Sequence, residues 1–491
     1  MSLLPKGLVE LTAPIPPSRY ASEDLLPTPL SARTWNLWHF ASLWVGMSVC
    51  IPTYMLAAAL IQAGLSWQVS LAAILIGNAV TLVPMLLNGH AGTRFGIPFP
   101  VFLRAAFGPR GAHLPALLRG AVASGWFGIQ TWVGGLAIHE ILSILWPGWV
   151  QLGGDWQFMG FGLPQYLGFL IFWLMNLYFV WNGTESIKWL ETLSAPLLIV
   201  AGFALFWWAM VKAGGISAMF SGATALGGAQ PFSFALFLPW VTAMVGFWAT
   251  LALNIPDFTR FARSQRDQAA GQALGLLTTM PLFAFLGVAV TSATVSIYGE
   301  AIWNPVTLTA RITAELKSPV LGVLVLVVLL VATLTTNIAA NIVAPANAIA
   351  NLAPRRITTR AGGLIAAAVG IVILPWKLLD SYQAWLITYS GLLGAVGGVI
   401  VCDYVVVRRG QLALPDLYAE GGAYWYDAGI NRRAMMALGA GVVTALVGLL
   451  HPALSFLFNG AWFSAAIVAF VVYAILMRPS LAPAAVIPEL K

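Results

Sequence analysis

Residues 43–54 read Leu-Trp-Val-Gly-Met-Ser-Val-Cys-Ile-Pro-Thr-Tyr, which places a glycine and a proline inside a long apolar run. Glycine loosens a helix and proline removes a backbone donor, so this stretch predicts a helix that unwinds between Gly46 and Pro52. Unwound backbone is tolerated at membrane depth only where protein buries it or water reaches it. The segment therefore predicts an interrupted membrane helix beside a central site.

The composition of the whole chain places that helix in lipid. Of 491 residues, 59% are hydrophobic and only 8% are charged, with a mean hydropathy of +0.85. A soluble domain carries roughly 25% charged residues. The two cysteines and five histidines show no metal-ligand spacing. We expect a membrane protein whose partner is the bilayer, with neither a signal peptide nor an obligate protein partner.

Apolar runs of about 20 residues between polar breaks indicate membrane spans. Twelve such runs occur, near residues 39–62, 70–89, 118–145, 163–181, 190–212, 233–257, 275–298, 318–345, 362–377, 382–406, 434–452 and 456–477. We expect an all-α transmembrane domain over 35–478, with cytoplasmic tails at 1–34 and 479–491.

The basic residues give an orientation, because they concentrate on the cytoplasmic side of membrane proteins. With the N-terminus inside, all but four of the 24 Lys and Arg residues fall on the inner face. The exceptions are Lys212, Arg311, Lys317 and Lys377. The net charge of +7 is thus explained by topology in the cell membrane and does not call for nucleic acid.

The sixth span contains Gly246 at its centre and Pro239 and Pro256 near its ends, so it also predicts an unwound segment. Spans 1 and 6 are equivalent if residues 39–212 and 233–406 are two five-helix repeats, with extra helices at 434–477. An odd helix number makes such repeats inverted, and matched interruptions point to a transporter's central site. The alternative is that these glycines and prolines make only harmless kinks.

Acidic residues lie near the ends of the spans, at Glu140, Glu191, Asp257 and Asp403, and none is obviously central. This pattern favours a coupling cation held by carbonyl and hydroxyl oxygens over a central proton carrier. No Ser-His pair or metal cluster indicates an enzyme, and no filter-like loop indicates a channel.

Several motifs in order along the chain resemble the nucleobase-cation-symport family 1, in particular its bacterial hydantoin and allantoin carriers. They begin at Gly96 (Gly-Ile-Pro-Phe-Pro-Val-Phe), Gly125 (Gly-Trp-Phe-Gly-Ile-Gln-Thr-Trp), Asn254 (Asn-Ile-Pro-Asp-Phe-Thr-Arg-Phe), Thr335 (Thr-Thr-Asn-Ile-Ala-Ala-Asn), Cys402 (Cys-Asp-Tyr-Val-Val-Val-Arg-Arg) and Tyr424 (Tyr-Trp-Tyr-Asp-Ala-Gly-Ile-Asn). The resemblance implies the sodium-symporter fold of two inverted five-helix repeats plus two helices.

The resemblance also implies a substrate site. Trp126 and Trp248 match the family's two stacking tryptophans, while Gln130 and Asn341 match its ring-binding amides. Membrane tryptophans are otherwise often interface anchors, and buried amides often only join helices. Two positions depart from the hydantoin carrier. Cys50 replaces a glutamine that touches substrate, and Phe247 replaces a glycine, which implies a reshaped pocket.

For the ion, the resemblance implies a sodium site formed by the carbonyls of Gly46, Val49 and Ala332 with the hydroxyls of Thr335 and Thr336. Threonines that merely bond back to the preceding helical turn are the alternative. We expect a sodium-coupled symporter that imports a small planar nitrogen heterocycle, such as hydantoin, allantoin or a nucleobase, by alternating access. A proton-coupled nucleobase permease and an amino-acid carrier of the same fold are the rival readings.

Overall fold

Helices account for nearly all regular structure in a computed structural model of the chain, which describes residues 4–5, 7–11, 15, 18–182, 188–227 and 232–478. Residues 188–195 and 222–227 are described by their backbone alone. The predicted tail 479–491 lies outside the described residues. The α-helices are α1 Leu37–Ser48, α2 Ile51–Gln62, α3 Trp67–Phe95, α4 Phe99–Phe107, α5 His113–Leu145, α6 Leu163–Asn182, α7 Lys188–Ala213, α8 Ile216–Gly227, α9 Phe234–Asn254, α10 Pro256–Thr259, α11 Gln265–Tyr298, α12 Pro305–Leu316, α13 Pro319–Asn341, α14 Val343–Ala350, α15 Thr359–Val372, α16 Pro375–Asp380, α17 Tyr382–Val401, α18 Arg432–Val447, α19 Ser455–Asn459 and α20 Ala461–Met477.

Each of the twelve predicted spans coincides with one of these helices or with a pair of them. In the described part of the chain, eight spans are long and apolar enough to cross a membrane, and two bent helix pairs bring the number to ten. The remaining two predicted spans correspond to the shorter α15 and α18. A two-stranded hairpin, β1 Gln157–Phe158 with β2 Phe161–Gly162, lies between α5 and α6.

The predicted interruption of the first span is confirmed. Helix α1 ends at Ser48, Val49 and Cys50 leave helical geometry, and α2 begins at Ile51. The two halves are bent by 57°. Pro52 lies in the first turn of α2, where its missing N–H has no intrahelical acceptor to lose. The break therefore leaves the last carbonyl groups of α1 without intrahelical donors.

The predicted interruption of the sixth span at Gly246 is wrong, because α9 is a continuous helix from Phe234 to Asn254. Gly246 serves close packing instead. A Cβ atom on Gly246 would lie 2.7 Å from the carbonyl oxygen of Leu386 in α17. Pro239 lies in the second turn of α9, near its beginning. The helix breaks only at Ile255, before Pro256 begins α10.

A second discontinuity, which the sequence analysis did not predict, lies in the eighth span. Helix α13 ends at Asn341 and α14 begins at Val343. Pro345 lies four residues after Asn341. Because a proline cannot donate to the carbonyl four residues earlier, it weakens the helix at Asn341. This places Asn341 at a helix end.

The helices form two main groups. Helices α1, α2, α3, α9 and α11 pack on one another, and α5, α6, α13, α14 and α15 form a second group. A third cluster of α17, α18 and α20 packs against α9. Between the first two groups, α1 touches α13 and α5 touches α9. The break between α1 and α2 lies along this seam.

Charged residues form contacts at both ends of the helix bundle. Lys212, at the end of α7, forms an ion pair with Glu315 of α12 over 3.5 Å, and Arg311 of α12 pairs with Glu300. These residues share one end of the bundle. At the opposite end, the guanidinium group of Arg33 donates to the carbonyls of Thr93 and Arg94.

Candidate substrate and ion site

A small pocket lies at the seam between the two helix groups, beside the helix break. Its walls come from α1, α5, α9 and α13 and from Cys50 at the break. The open space is about 20 Å³, enough for about one water molecule. All six predicted substrate residues line the pocket: Cys50, Trp126, Gln130, Phe247, Trp248 and Asn341. Five further residues that were not predicted to bind substrate complete the lining: Met47, Thr250, Leu251, Thr336 and Ala340.

Three aromatic rings form one side of the pocket. The ring of Phe247 contacts Trp126 with centroids 5.0 Å apart and Trp248 with centroids 4.8 Å apart, edge-on in both cases. Phe247 thus contacts both indoles, whose faces were expected from the sequence to contact the substrate ring directly. Trp248 also packs against Trp44 at 5.0 Å. Trp44 was not predicted as part of the site, although it lies in the quoted stretch.

Two polar atoms in this pocket are buried and have no hydrogen-bond partner within the described structure. They are the Oε1 atom of Gln130, an acceptor, and the Nε1 atom of Trp248, a donor. Buried polar groups in native proteins nearly always have partners. An acceptor and a donor left unpaired beside aromatic faces suit a flat ligand that carries both N–H and C=O groups.

The amide of Asn341 is held in place from its own helix. Its Nδ2 atom donates to the Oδ1 atom of Asn337 over 3.0 Å. Asn337 in turn donates to the carbonyl of Phe127 and to the side chains of Thr131 and Asn176, each over 3.2 Å. This network ties α13 to α5 and α6. It fixes the amide plane of Asn341, and Asn337 was missed by the sequence analysis.

Tyr389 on α17 organises the aromatic wall, and the sequence analysis missed it as well. Its hydroxyl accepts a hydrogen bond from the Nε1 atom of Trp126 over 3.1 Å and donates to the carbonyl of Gly246 over 2.8 Å. Trp126 is 4% exposed, so the indole is buried within the helix bundle. A single hydroxyl therefore links α5, α9 and α17.

Two of the residues predicted to hold sodium, Gly46 and Thr336, are in contact beside the helix break. The hydroxyl of Thr336 on α13 reaches the carbonyl of Gly46 on α1 over 3.3 Å. The hydroxyl of Thr335 bonds back to the carbonyl of Ala332 over 3.1 Å. Val49 lies at the break itself. Hydroxyl and carbonyl oxygens are the ligands that hard cations prefer, and the Thr336 hydroxyl and the Gly46 carbonyl meet across the seam.

Two of the four acidic residues near the span ends are engaged in structural contacts. Asp403 pairs with Arg408 over 2.7 Å and accepts from Tyr473. Asp257 accepts from the backbone N–H of Phe99. The side chain of Glu191 lies outside the described residues. Among the side chains that are described, no three of His, Cys, Asp or Glu are grouped to hold a metal ion.

One end of the seam is closed by a buried polar link. Arg119 on α5 donates two hydrogen bonds to the Oδ1 atom of Asn254 at the end of α9, over 3.1 and 2.7 Å. Asn254 donates to Asp257 over 3.1 Å. All three residues are buried. The link joins the two helix groups on the side opposite α12.

Comparison with known proteins places this chain in a family. A family description, "Permease for cytosine/purines, uracil, thiamine, allantoin", matches residues 27–472. The chain is 42% identical to the allantoin permease of Bacillus subtilis (strain 168), over 94% of each chain. It is 44% identical to the purine-uracil permease NCS1 of Arabidopsis thaliana, over 93% of this chain and 77% of that protein.

Solved structures agree with these relatives. The chain resembles Mhp1, described as a nucleobase-cation-symport-1 family transporter in a closed conformation with bromovinylhydantoin bound, with a TM-score of 0.76 and 27% identity over 94% of this chain and 96% of that one. A Na⁺-coupled sialic acid symporter, 14% identical with a TM-score of 0.65 over 96% and 94% of the two chains, shares the fold.

The predicted fold class is therefore confirmed: an all-α membrane protein of two inverted five-helix repeats with two further helices. The relatives transport solutes and are not enzymes, as the absence of catalytic motifs had predicted. This chain is a multi-pass membrane permease of the nucleobase-cation-symport family 1.

Proposed function

We propose that this permease imports a small planar nitrogen heterocycle together with sodium, by alternating access. The substrate class is a ring with adjacent N–H and C=O groups, such as hydantoin, allantoin or a nucleobase. The unpaired Gln130 Oε1 and Trp248 Nε1 atoms carry this proposal, because they offer one acceptor and one donor beside aromatic faces. A ring lacking those groups would leave both atoms buried and unsatisfied, which the site penalises.

The proposed substrate residues are Trp126, Gln130, Trp248 and Asn341, with Phe247 and Cys50 shaping the pocket. The indoles supply stacking surface, worth about 1 to 3 kcal/mol for each stacked base in comparable sites. Since the open space is only about 20 Å³, a ring enters only if Phe247 moves away from the two indoles. Phe247 therefore sets which substituents the ring can carry.

The proposed sodium ligands are the carbonyls of Gly46, Val49 and Ala332 and the hydroxyls of Thr335 and Thr336. The contact between Thr336 and Gly46 crosses the seam between the two helix groups. An ion held there stabilises one arrangement of α1 against α13, and the same seam forms the ring pocket. Ion and ring then raise each other's affinity, since coupling between two sites is reciprocal.

The proposed placement is the cell membrane with both termini in the cytoplasm, supported by the charge distribution. The proposed domain division is residues 39–212 and 233–406 for the two repeats, 434–477 for the extra helices, and cytoplasmic tails at 1–34 and 479–491. No organic cofactor is part of this mechanism.

Transport into proteoliposomes tests the proposal. Labelled hydantoin, allantoin and uracil are offered separately under an inward sodium gradient, an inward proton gradient, or neither. We expect at least one ring to accumulate under the sodium gradient alone. Accumulation driven by protons and indifferent to sodium would replace the sodium assignment by proton coupling. If no ring accumulates but a labelled amino acid, offered in the same way, does accumulate under the sodium gradient, an amino-acid carrier of the same fold would be favoured.

A further inference from the structure

A second cavity, separate from the proposed substrate pocket, lies behind the helix break. It is enclosed by α2, α7, α11, α12 and α13 and has a volume of about 180 Å³. Its deep wall is made of Ile51, Tyr54 and Phe283, each at most 4% exposed. Ile51 is the first residue of α2 after the break. The cavity therefore reaches the element on which the transport mechanism depends.

The lining of this cavity is apolar. Besides aliphatic and aromatic side chains it includes Thr309 and Thr313, whose hydroxyls are already engaged within α12. Thr309 donates to the carbonyl of Pro305 and Thr313 to that of Thr309, each over 2.7 Å. An apolar cavity of about 150 Å³ in another protein stays dry and takes up benzene. Apolar matter, not water, suits this space.

The mouth of the cavity opens on the outer surface of the bundle, among exposed apolar side chains. Two lining residues at the start of α13 and the end of α12, Leu321 and Leu316, are 47% and 52% exposed. Ala204 on α7 also lines the cavity and is exposed. The flanking side chains Val200 and Val320 are apolar and more exposed still. In a membrane permease such a surface contacts hydrocarbon chains.

We propose that this cavity binds one acyl chain of a phospholipid from the surrounding bilayer. A flexible, unbranched hydrocarbon chain can pass between Leu316, Leu321 and Ala204 and fill the space as far as Phe283. A polar heterocycle would lose its hydration there with few partners in return. The occupant is thus distinguished from the transport substrate by its chemistry.

The bound chain touches elements of both helix groups. Ile51 and Phe283 belong to the group that contains α1, whereas Leu329 of α13 belongs to the other. An acyl chain bound between these residues stabilises the arrangement of α2 and α13 seen in this structure. Lipid bound in this cavity then regulates the opening of the seam between the two helix groups, independently of which ring is carried.

Photo-crosslinking tests this site directly. The whole protein is placed in nanodiscs of phosphatidylcholine that carries a diazirine at the end of one acyl chain, irradiated, digested and analysed by mass spectrometry. We expect adducts on the buried residues Tyr54 or Phe283, which general bilayer contact cannot reach. Adducts confined to exposed side chains such as Val200 and Val320 would overturn the proposal.

Variants on one helix provide the matched comparison. Ala204→Phe blocks the mouth, and we expect loss of the adducts on Tyr54 and Phe283. Val200→Phe adds a larger aromatic ring one turn earlier on the same helix, outside the cavity, and should leave those adducts unchanged. If Ala204→Phe elutes as an aggregate, Ala201→Phe fills the cavity from within and replaces it. Deep adducts that persist in a folded blocking variant would contradict acyl-chain binding.

Discussion

The hydroxyl of Tyr389 donates a hydrogen bond to the backbone carbonyl of Gly246 over 2.8 Å, two residues before Trp248. The same hydroxyl accepts from the indole of Trp126. One phenol thus sets the positions of both tryptophans that the proposed ring contacts. Tyr389 does not line the pocket. Its role is therefore to position Trp126 and Trp248.

Removing this hydroxyl tests the role. Tyr389→Phe removes both hydrogen bonds of this hydroxyl. We expect the looser indoles to cost about 1 kcal/mol of ring-binding free energy, which weakens ring binding about fivefold. Equilibrium binding of the labelled ring to purified protein measures the change. Tyr166→Phe is the control, since the hydroxyl of Tyr166 bonds only to the remote carbonyl of Phe158. Equal affinities for Tyr389→Phe and wild type would show that the indoles are held without it.

Phe247 is expected to set the size limit of the substrate. Its ring contacts both indoles edge-on, so Phe247→Ala should open the pocket and admit rings with bulky substituents such as bromovinylhydantoin. Competition against uptake of an unsubstituted ring measures this. We expect inhibition by the bulky ring to strengthen in the variant while the unsubstituted ring binds more weakly. If the bulky ring inhibits uptake equally well in Phe247→Ala and in the wild-type protein, the assignment of Phe247 as the size limit is contradicted.

The ion site is tested with two isosteric threonine variants on α13. Thr336→Val removes the hydroxyl that reaches Gly46 and should raise the sodium concentration for half-maximal binding about tenfold, a cost of about 1.4 kcal/mol. Thr333→Val is the control, because its hydroxyl bonds back to the carbonyl of Leu329. Sodium titrations of ring binding compare the two. An unchanged sodium dependence in Thr336→Val would exclude this hydroxyl as a ligand.

The buried link between Arg119 and Asn254 is expected to stabilise the fold. Asn254→Ala leaves the buried guanidinium of Arg119 without its two hydrogen bonds, at a cost of about 1 to 3 kcal/mol or more. We expect a clear fall in the thermal unfolding temperature in detergent. Arg432→Ala breaks an exposed ion pair with Asp427 and should have little effect. Similar temperatures for both variants would contradict this.

Most of the helical framework could be predicted from the sequence, because each span needs a long apolar run. The break after Ser48 was predictable from Pro52, because proline is favoured in the first turn of a helix and disfavoured in its interior. Gly246 was misjudged, since a glycine that admits a neighbouring helix has the same sequence signature as one that unwinds. Only the approach of Leu386 in α17 distinguishes the two.

Site residues that belong to a family motif could be predicted from the sequence. Residues whose role depends only on contacts in the folded structure could not. Tyr389 lies 263 residues from Trp126 and 143 from Gly246, and no local pattern connects them. Arg104 and Arg119 give a second example. The charge count predicts only a cytoplasmic position for them, whereas the structure shows both side chains buried and hydrogen-bonded to asparagines.

The central claim is that a flat ring and sodium bind together at the seam between α1, α5, α9 and α13. Equilibrium binding of labelled hydantoin, allantoin and uracil to the purified protein, with sodium chloride or with choline chloride, measures it most directly. We predict that one of these rings binds tightly only with sodium, and that Trp126→Ala and Asn341→Ala each abolish the signal in correctly folded protein. Affinity that is the same in choline, and retained in both variants, would contradict the account.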